Sequence, residues 1–316
     1  MQYLDPVTAY LGKGYQVGEP LLNSEEIKWV RDGLQAEFSN KSYPHSIMLC
    51  EFNNELHTKI IGLVKDPQIQ AFLASLEKKT GQVISILPGF EVTRNYFPHP
   101  WLLDGWHSDC GGELNQEYCI QRLKSKEYVF GKIAIYLQSN GDFGGSIDVI
   151  PKSHIGIRKF NKFIRRLANI RLNLYKKSHS INKHIFKFIP KGLINIFIGS
   201  KTLFPEIGAP VFFDSGLLHK GTSPSKRVAN QLVFENHIYV KFTPDDKTKY
   251  AIYFQFGSKS GIESYLFDRL NRIRGNEEAF LWRSQIDFLS KVDVNIGKKM
   301  SNLIGDKLDK SNYYLN

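Results

Sequence analysis

The chain has 316 residues, 42% of them hydrophobic and 13% aromatic, which suits a buried core and excludes a disordered chain. No stretch reaches the ~18 uninterrupted apolar residues needed to cross a bilayer, and Met1 to Lys13 shows no basic-then-apolar leader. The net charge of +11 is local: thirteen Lys/Arg and no acid lie between Val149 and Pro205, which leaves 29 basic residues against all 31 acids elsewhere. Cys50, Cys110 and Cys119 cannot all pair and lack C-x-x-C spacing, so they are expected to be reduced thiols in a cytoplasmic protein.

In chain order, Leu21 to Leu34 carries helix signals. Asn23 or Ser24 can cap, Glu25 and Glu26 favour the positive end, and Leu22, Ile27, Val30 and Leu34 fall on one side. His45 and His57 follow without evident partners and read as surface residues. A second helix is predicted after Pro67, with Ile69, Phe72, Leu73 and Leu76 as its stripe and Gly81 as its stop. Val83 to Leu87 and Phe90 to Phe97 read as two strands about a Pro88-Gly89 turn. Val129 to Gln138, Ser146 to Ile150, Gly208 to Phe213, Val228 to Phe242 and Tyr250 to Phe256 read as further strands, and Ile262 onward reads as helix. Many strands framed by terminal helices predict a mainly β core, a sandwich or open barrel with helical buttresses.

The chemistry-bearing stretch is Gly105-Trp106-His107-Ser108-Asp109. Residues i and i+2 of an extended strand share a face, so His107 and Asp109 can converge on one ion. By itself the triplet also fits a hydrogen-bonded surface pair. A second histidine from a remote strand would complete two imidazoles and one carboxylate, a set that leaves open positions and suits non-haem Fe(II).

Two further motifs follow in order: Gly144-Gly145-Ser146-Ile147-Asp148-Val149-Ile150-Pro151-Lys152-Ser153-His154, then Phe213-Asp214-Ser215-Gly216-Leu217-Leu218-His219 with Arg227 behind it. Over roughly residues 15 to 240 this pattern resembles the phytanoyl-CoA dioxygenase family of Fe(II)/2-oxoglutarate-dependent oxygenases. The resemblance implies a double-stranded β-helix (jelly roll) core, iron held by His107, Asp109 and His219, and Arg227 gripping the distal carboxylate of 2-oxoglutarate. Guanidinium suits that last task because it meets a carboxylate as a two-pronged fork. Arg227 stands closer to His219 than the family usually shows, so Lys226 beside it competes for the role. Thr222 and Asn95 are further candidates for 2-oxoglutarate contact. His154 is expected to be structural, and His99, His179, His184 and His237 match no ligand position. An aspartate at 109 leaves no site for a halide, so hydroxylation with O2 is the expected reaction.

The connection between the second and third motifs is long and basic. Phe160, Phe163, Ile164, Leu167, Ile170 and Leu174 fall within an arc of about 120° on a helix, with Lys159, Lys162, Arg165, Arg166 and Lys176 outside it. Residues 184 to 198 are apolar and aromatic with interspersed lysines. An acid-free helix of this kind suits the headgroup plane of an anionic membrane. Its aromatics form an apolar face rather than a stacking platform, which disfavours nucleic acid.

The resulting expectation is one oxygenase domain over residues 1–260. Its jelly-roll core spans about 83–257, the basic insertion 155–205, and a helical extension 261–316. It would hydroxylate an unactivated C–H of a lipid, a glycolipid (an inner-core sugar of lipopolysaccharide is one candidate) or another amphipathic anionic substrate, docked on the cytoplasmic face of a membrane. The alternatives are a soluble hydroxylase of a small metabolite, with the insertion as a lid, and a non-catalytic membrane-binding module on an oxygenase fold.

Overall fold

The computed structural model describes residues 5–39, 46–48, 54–95, 106–109, 125, 127–139, 144–158, 170, 173–174, 191–222, 234–235, 238–239 and 248–262. Four helices come early: α1 (Pro6–Lys13), α2 (Ser24–Ser39), α3 (Asn54–Gly62) and α4 (Pro67–Thr80). Their ends obey local chemistry. At the start of α2, the Glu26 amide donates to Asn23 Oδ1 at 3.0 Å and the Asn23 amide donates to Glu26 Oε2 at 2.9 Å, a reciprocal capping box. Asp66 caps α4 by accepting from the Gln68 amide at 2.8 Å, Pro67 opens the helix, and Gly81 closes it at φ +69°.

The strands are β1 (Tyr15–Val17), β2 (Ser46–Met48), β3 (Ser85–Asn95), β4 (Phe130–Tyr136), β5 (Ile147–Val149), β6 (Lys201–Leu203), β7 (Pro210–Asp214), β8 (His219–Gly221), β9 (Phe234–Glu235), β10 (Ile238–Tyr239) and β11 (Lys249–Gly257). Two short helices lie among them, α5 (Ser153–Arg158) and α6 (Lys191–Ile198). A large antiparallel sheet runs β1-β7-β4-β11-β3-β2, and a small one runs β6-β5-β8. An isolated bridge between His107 and His219 adds one more rung to the small sheet. This is a jelly-roll core with flanking helices, as the sequence led us to expect.

Strand alternation decides what each face of the large sheet meets. Ile133, Ile135, Phe212, Ile252, Phe254 and Phe256 pack with the α1–α4 stripes, and Phe72 of α4 stacks on Phe212 with ring centroids 3.9 Å apart. The opposite face carries Ala134, Tyr136, Val211, Phe213 and Ala251, which close a second core with Ile147, Val149 and Leu203 of the small sheet. The site therefore lies between two sheets, with the helices behind the larger one.

Several expectations need correction. Pro88-Gly89 is not a turn between two strands; β3 runs through it, and the pairing with β11 shifts register between Tyr253 and Gln255. Proline cannot donate to a ladder, and a bulge lets the strand carry it. Of the strand expected over residues 228–242, the described residues show only the short β9–β10 pair. His57 is buried rather than on the surface, at 4% exposure. It belongs to α3, three and four residues before Ile60 and Ile61, so the helix turns it into the same apolar stripe. The histidines 45, 99, 179, 184 and 237 and all three cysteines lie outside the described residues, as does the extension from residue 263. Of the first basic stretch beyond α5, only residues 170, 173 and 174 are described, all helical.

Burial lowers the His57 pKa from 6.5 to about 4. The unfolded chain then binds the extra proton first, so this contribution to stability is present above about pH 6.5 and is lost as pH falls towards 4. In urea melts the His57→Leu variant is expected to lose less stability than wild type over that window. A parallel decline in both would remove His57 as the cause.

Candidate metal centre

The centre is assembled by backbone pairing. The His107 amide donates to the His219 carbonyl at 3.0 Å, and the His219 amide donates to the His107 carbonyl at 2.9 Å. His219 is held in turn by β8, whose register sets His219 opposite Val149. The approach to β8 is a tight loop: Asp214 Oδ1 accepts from the Gly216 amide at 2.8 Å, and the Ser153 hydroxyl accepts from the Leu218 amide at 2.8 Å. The Asp-Ser-Gly and Pro-x-Ser-His motifs thus fold the chain so that His219 faces inward.

The result is a cluster of His107, Asp109 and His219 whose ligand atoms all lie within 4.8 Å of one another. The two imidazole rings stand 4.4 Å apart at 55°. Asp109 Oδ2 lies 3.5 Å from His219 Nε2, and Asp109 Oδ1 lies 3.8 Å from His107 Nε2. His219 Nδ1 approaches the Leu217 carbonyl at 2.9 Å, which fixes the proton there and leaves the Nε2 lone pair pointing at the cluster. Burial pushes the His219 pKa down to about 4, so the ring is neutral at pH 7. Burial pushes the Asp109 carboxyl upward, but Lys132, with His219 and His107, outweighs it and keeps the group ionised. Neutral imidazole and ionised carboxylate are the forms a divalent metal requires. His107 is exposed while His219 is buried, so the cluster opens on one side. Two nitrogens and one oxygen with an open side fit non-haem iron.

Sequence reading missed the wall behind the cluster. Lys132-Ile-Ala134-Ile-Tyr136 of β4 and Lys249-Tyr-Ala251-Ile-Tyr253 of β11 carry the same inward pattern on antiparallel neighbours. Register pairs Ala251 with Tyr136 and Tyr253 with Ala134. Each lysine therefore reaches the other strand's tyrosine: Lys132 Nζ lies 5.9 Å from the Tyr253 ring centre, and Lys249 Nζ lies 5.1 Å from that of Tyr136. The repeated K-x-A-I-Y was the available signal. The two lysines differ in how they are answered. Lys132 Nζ stands 3.2 Å from Asp109 Oδ2. Lys249 is 8% exposed, no carboxylate among the described residues pairs with it, and burial lowers its pKa to about 8.

The remaining candidates divide. Asn95 stands directly opposite Lys249 in the β3–β11 ladder. The Thr222 hydroxyl donates to Asp148 Oδ1 at 3.2 Å. His154 has a structural place, with Nε2 at 3.1 Å from the Leu11 carbonyl. Arg227 and Lys226 lie outside the described residues. Trp106, beside the first ligand, is buried with Lys220 Nζ 5.3 Å from its ring centre.

No family model matches the chain, and no curated protein matches it. Solved structures with similar overall shape include HygX from Streptomyces hygroscopicus, crystallised with nickel and 2-oxoglutarate bound. It is 13% identical, with 82% of this chain and 88% of that one covered and a TM-score of 0.47. Another is the non-haem α-ketoglutarate-dependent carbocyclase SnoK from nogalamycin biosynthesis, 12% identical, covering 82% and 85%, at 0.46. A third is the epimerase SnoN in complex with Fe3+, α-ketoglutarate and nogalamycin RO, 10% identical, covering 82% and 87%, at 0.43. With TM-scores under 0.5 these likenesses decide nothing about chemistry; the residues of the site do.

Two outcomes test this geometry. His219→Ala or Asp109→Ala is expected to weaken Fe(II) binding by at least about a hundredfold in anaerobic titration calorimetry. Lys249→Met removes a buried ammonium. Its folded pKa lies below its unfolded value, so the cost to stability is full below about pH 8 and relieved as pH rises towards 10.5. The variant should be more stable than wild type at pH 7 by about 1–3 kcal/mol, with the gain shrinking at high pH. A destabilised Lys249→Met would show that the ammonium is answered in the folded protein.

Proposed function

We propose that this chain is an Fe(II)- and 2-oxoglutarate-dependent dioxygenase that hydroxylates an unactivated C–H of an amphipathic anionic substrate of the lipid or glycolipid class. The observation that carries the reading is the convergence of neutral His219, His107 and ionised Asp109 in front of a wall that holds a buried ammonium with no carboxylate partner among the described residues. Bound at the triad, Fe(II) would supply oxygen activation coupled to oxidative decarboxylation of a 2-oxo acid.

The chain's own groups supply the rest. His107, Asp109 and His219 would hold the metal from one side, and the Leu217 carbonyl would keep the His219 tautomer fixed. Lys132 keeps Asp109 ionised and aimed. A dicarboxylate needs a cation for its far end, and two are available to it. Arg227 follows from the motif order, which resembles that of the phytanoyl-CoA dioxygenase family. Lys249 follows from burial: an ammonium taken out of water at several kcal/mol is repaid by an incoming carboxylate. The substrate class rests on the basic segment, whose field attracts anions.

Anaerobic Fe(II) titration with 2-oxoglutarate tests the reading through the weak visible charge-transfer band that keto-acid chelation gives. A band in wild type, absent in His219→Ala, is expected. It should require about tenfold or more 2-oxoglutarate in whichever of Lys249→Met and Arg227→Ala removes the carboxylate grip. Bound iron with no band in wild type would overturn the 2-oxoglutarate assignment.

A further inference from the structure

α6 is built the wrong way round for a helix that only covers a sheet. Its described inward contacts include a polar chain. Asn195 Nδ2 donates to Thr202 Oγ1 of β6 at 3.3 Å, Thr202 Oγ1 donates to Asp148 Oδ1 of β5 at 2.6 Å, and the Ser200 hydroxyl donates to Asn195 Oδ1 at 3.1 Å. Ile198, three residues after Asn195, is buried on the same side. The stripe at Leu193, Ile196 and Phe197 follows i, i+3, i+4 spacing and faces solvent, at 57%, 74% and 50% exposure. Phe204, just past β6, is 71% exposed. Ile170, Leu174 and Ile207 are exposed as well. Seven of the ten exposed large apolar residues among those described thus lie between positions 170 and 207.

Two facts identify what meets this ridge. An apolar ridge alone would suit a protein partner, another copy or a membrane equally. The segment that carries it has thirteen Lys/Arg and no acid from Val149 to Pro205. That charge is a property of the sequence, and the exposed Glu206 follows it between Phe204 and Ile207; an apolar face carried on a segment of net positive charge complements a surface that is apolar within and anionic at its rim, which describes an anionic bilayer. Among the described residues no helix is long and apolar enough to cross a membrane, so the contact would be with the interface rather than through it.

We propose that the outward face of α6, with Phe204, is the element that inserts into an anionic lipid interface, drawn there by the net positive charge of the segment that carries it. The inference deepens the substrate class proposed above and rests on that reading for its purpose, though its own evidence is independent of the metal. Position supports it. α6 packs on β6, the edge of the small sheet, and β8 with His219 lies two strands away, about 10 Å at normal strand spacing. The ridge would therefore dock without occupying the metal centre, on the same small sheet that holds it.

The test is co-sedimentation of the full chain with vesicles of phosphatidylcholine alone or mixed with phosphatidylglycerol, for wild type and Ile196→Asp/Phe197→Asp. Both positions are exposed, so the variant is expected to fold. Wild type should pellet with the anionic vesicles, be released by high salt, and bind at least about tenfold more tightly than the variant. The Fe(II)–2-oxoglutarate band should be equal in both proteins. Equal binding by the two proteins, or no binding by wild type, overturns the inference. It is also overturned if the wild type forms a dimer that the variant breaks, because the ridge is then an interface between copies. A missing band with vesicle binding intact would instead sink the oxygenase reading and leave the docking surface standing.

Discussion

The whole site depends on two backbone hydrogen bonds exchanged between His107 and His219. They join residues from opposite halves of the chain, and without them the two imidazoles have no reason to share a space. Everything that stabilises the small sheet acts on this rung: β8 is registered by β5, β5 by β6, and β5 and β6 are held against the large sheet by Ile147, Val149 and Leu203. The helices act one layer further out. They fill the outer face of the large sheet, while its inner face carries Lys132, Tyr136, Lys249 and Tyr253 beside the second apolar core. Ligand geometry is set here by sheet register, and the register is set by packing on both faces of one sheet.

That arrangement carries an electrostatic cost that the fold does not settle on its own. Lys132 and Lys249 occupy equivalent places in two antiparallel strands, yet among the described residues only Lys132 has an acid facing it. Lys132 is therefore structural as well as electrostatic: it keeps Asp109 charged in a buried place. Lys249 gives the fold nothing comparable, because a ring 5.1 Å away returns a small part of what desolvation takes. A group that costs stability in the free protein and gains from an anion is the pattern that trades stability for binding.

Legibility in the sequence followed range. The caps and stripes of α2 and α4 are local, so Asn23, Glu26, Asp66 and Gly81 announce them. Strands β4, β7 and β11 declare themselves through β-branched and aromatic content. The triad could be named because the three motifs come in a recognisable order, but no spacing rule says that His107 and His219 pair through their backbones. Pro88-Gly89 misled because turn and bulge use the same residues, and only a partner strand decides between them. His57 misled because a lone polar residue was judged without counting the helix turn that joins it to Ile60 and Ile61. The lysine wall was missed for a different reason. Lysines within strands read as a solvent face, and nothing local reveals that a second sheet covers them.

The same argument bears on the place of α6. The outer face of the large sheet is already taken by α1–α4, and the inner faces enclose the centre. α6, which precedes β6 in the chain, packs on that strand at the open edge of the small sheet. An edge strand must be covered or made unattractive, and α6 covers this one with a polar chain from Asn195 through Thr202 to Asp148. Because Asn195 and Ile198 face the sheet, the stripe of Leu193, Ile196 and Phe197 is not consumed by it. Had α6 been only a cover, burying Leu193, Ile196 and Phe197 against the sheet would have been the more stable choice by several kcal/mol. Their outward placement gains nothing from the described residues, and the proposed lipid contact would offset that cost.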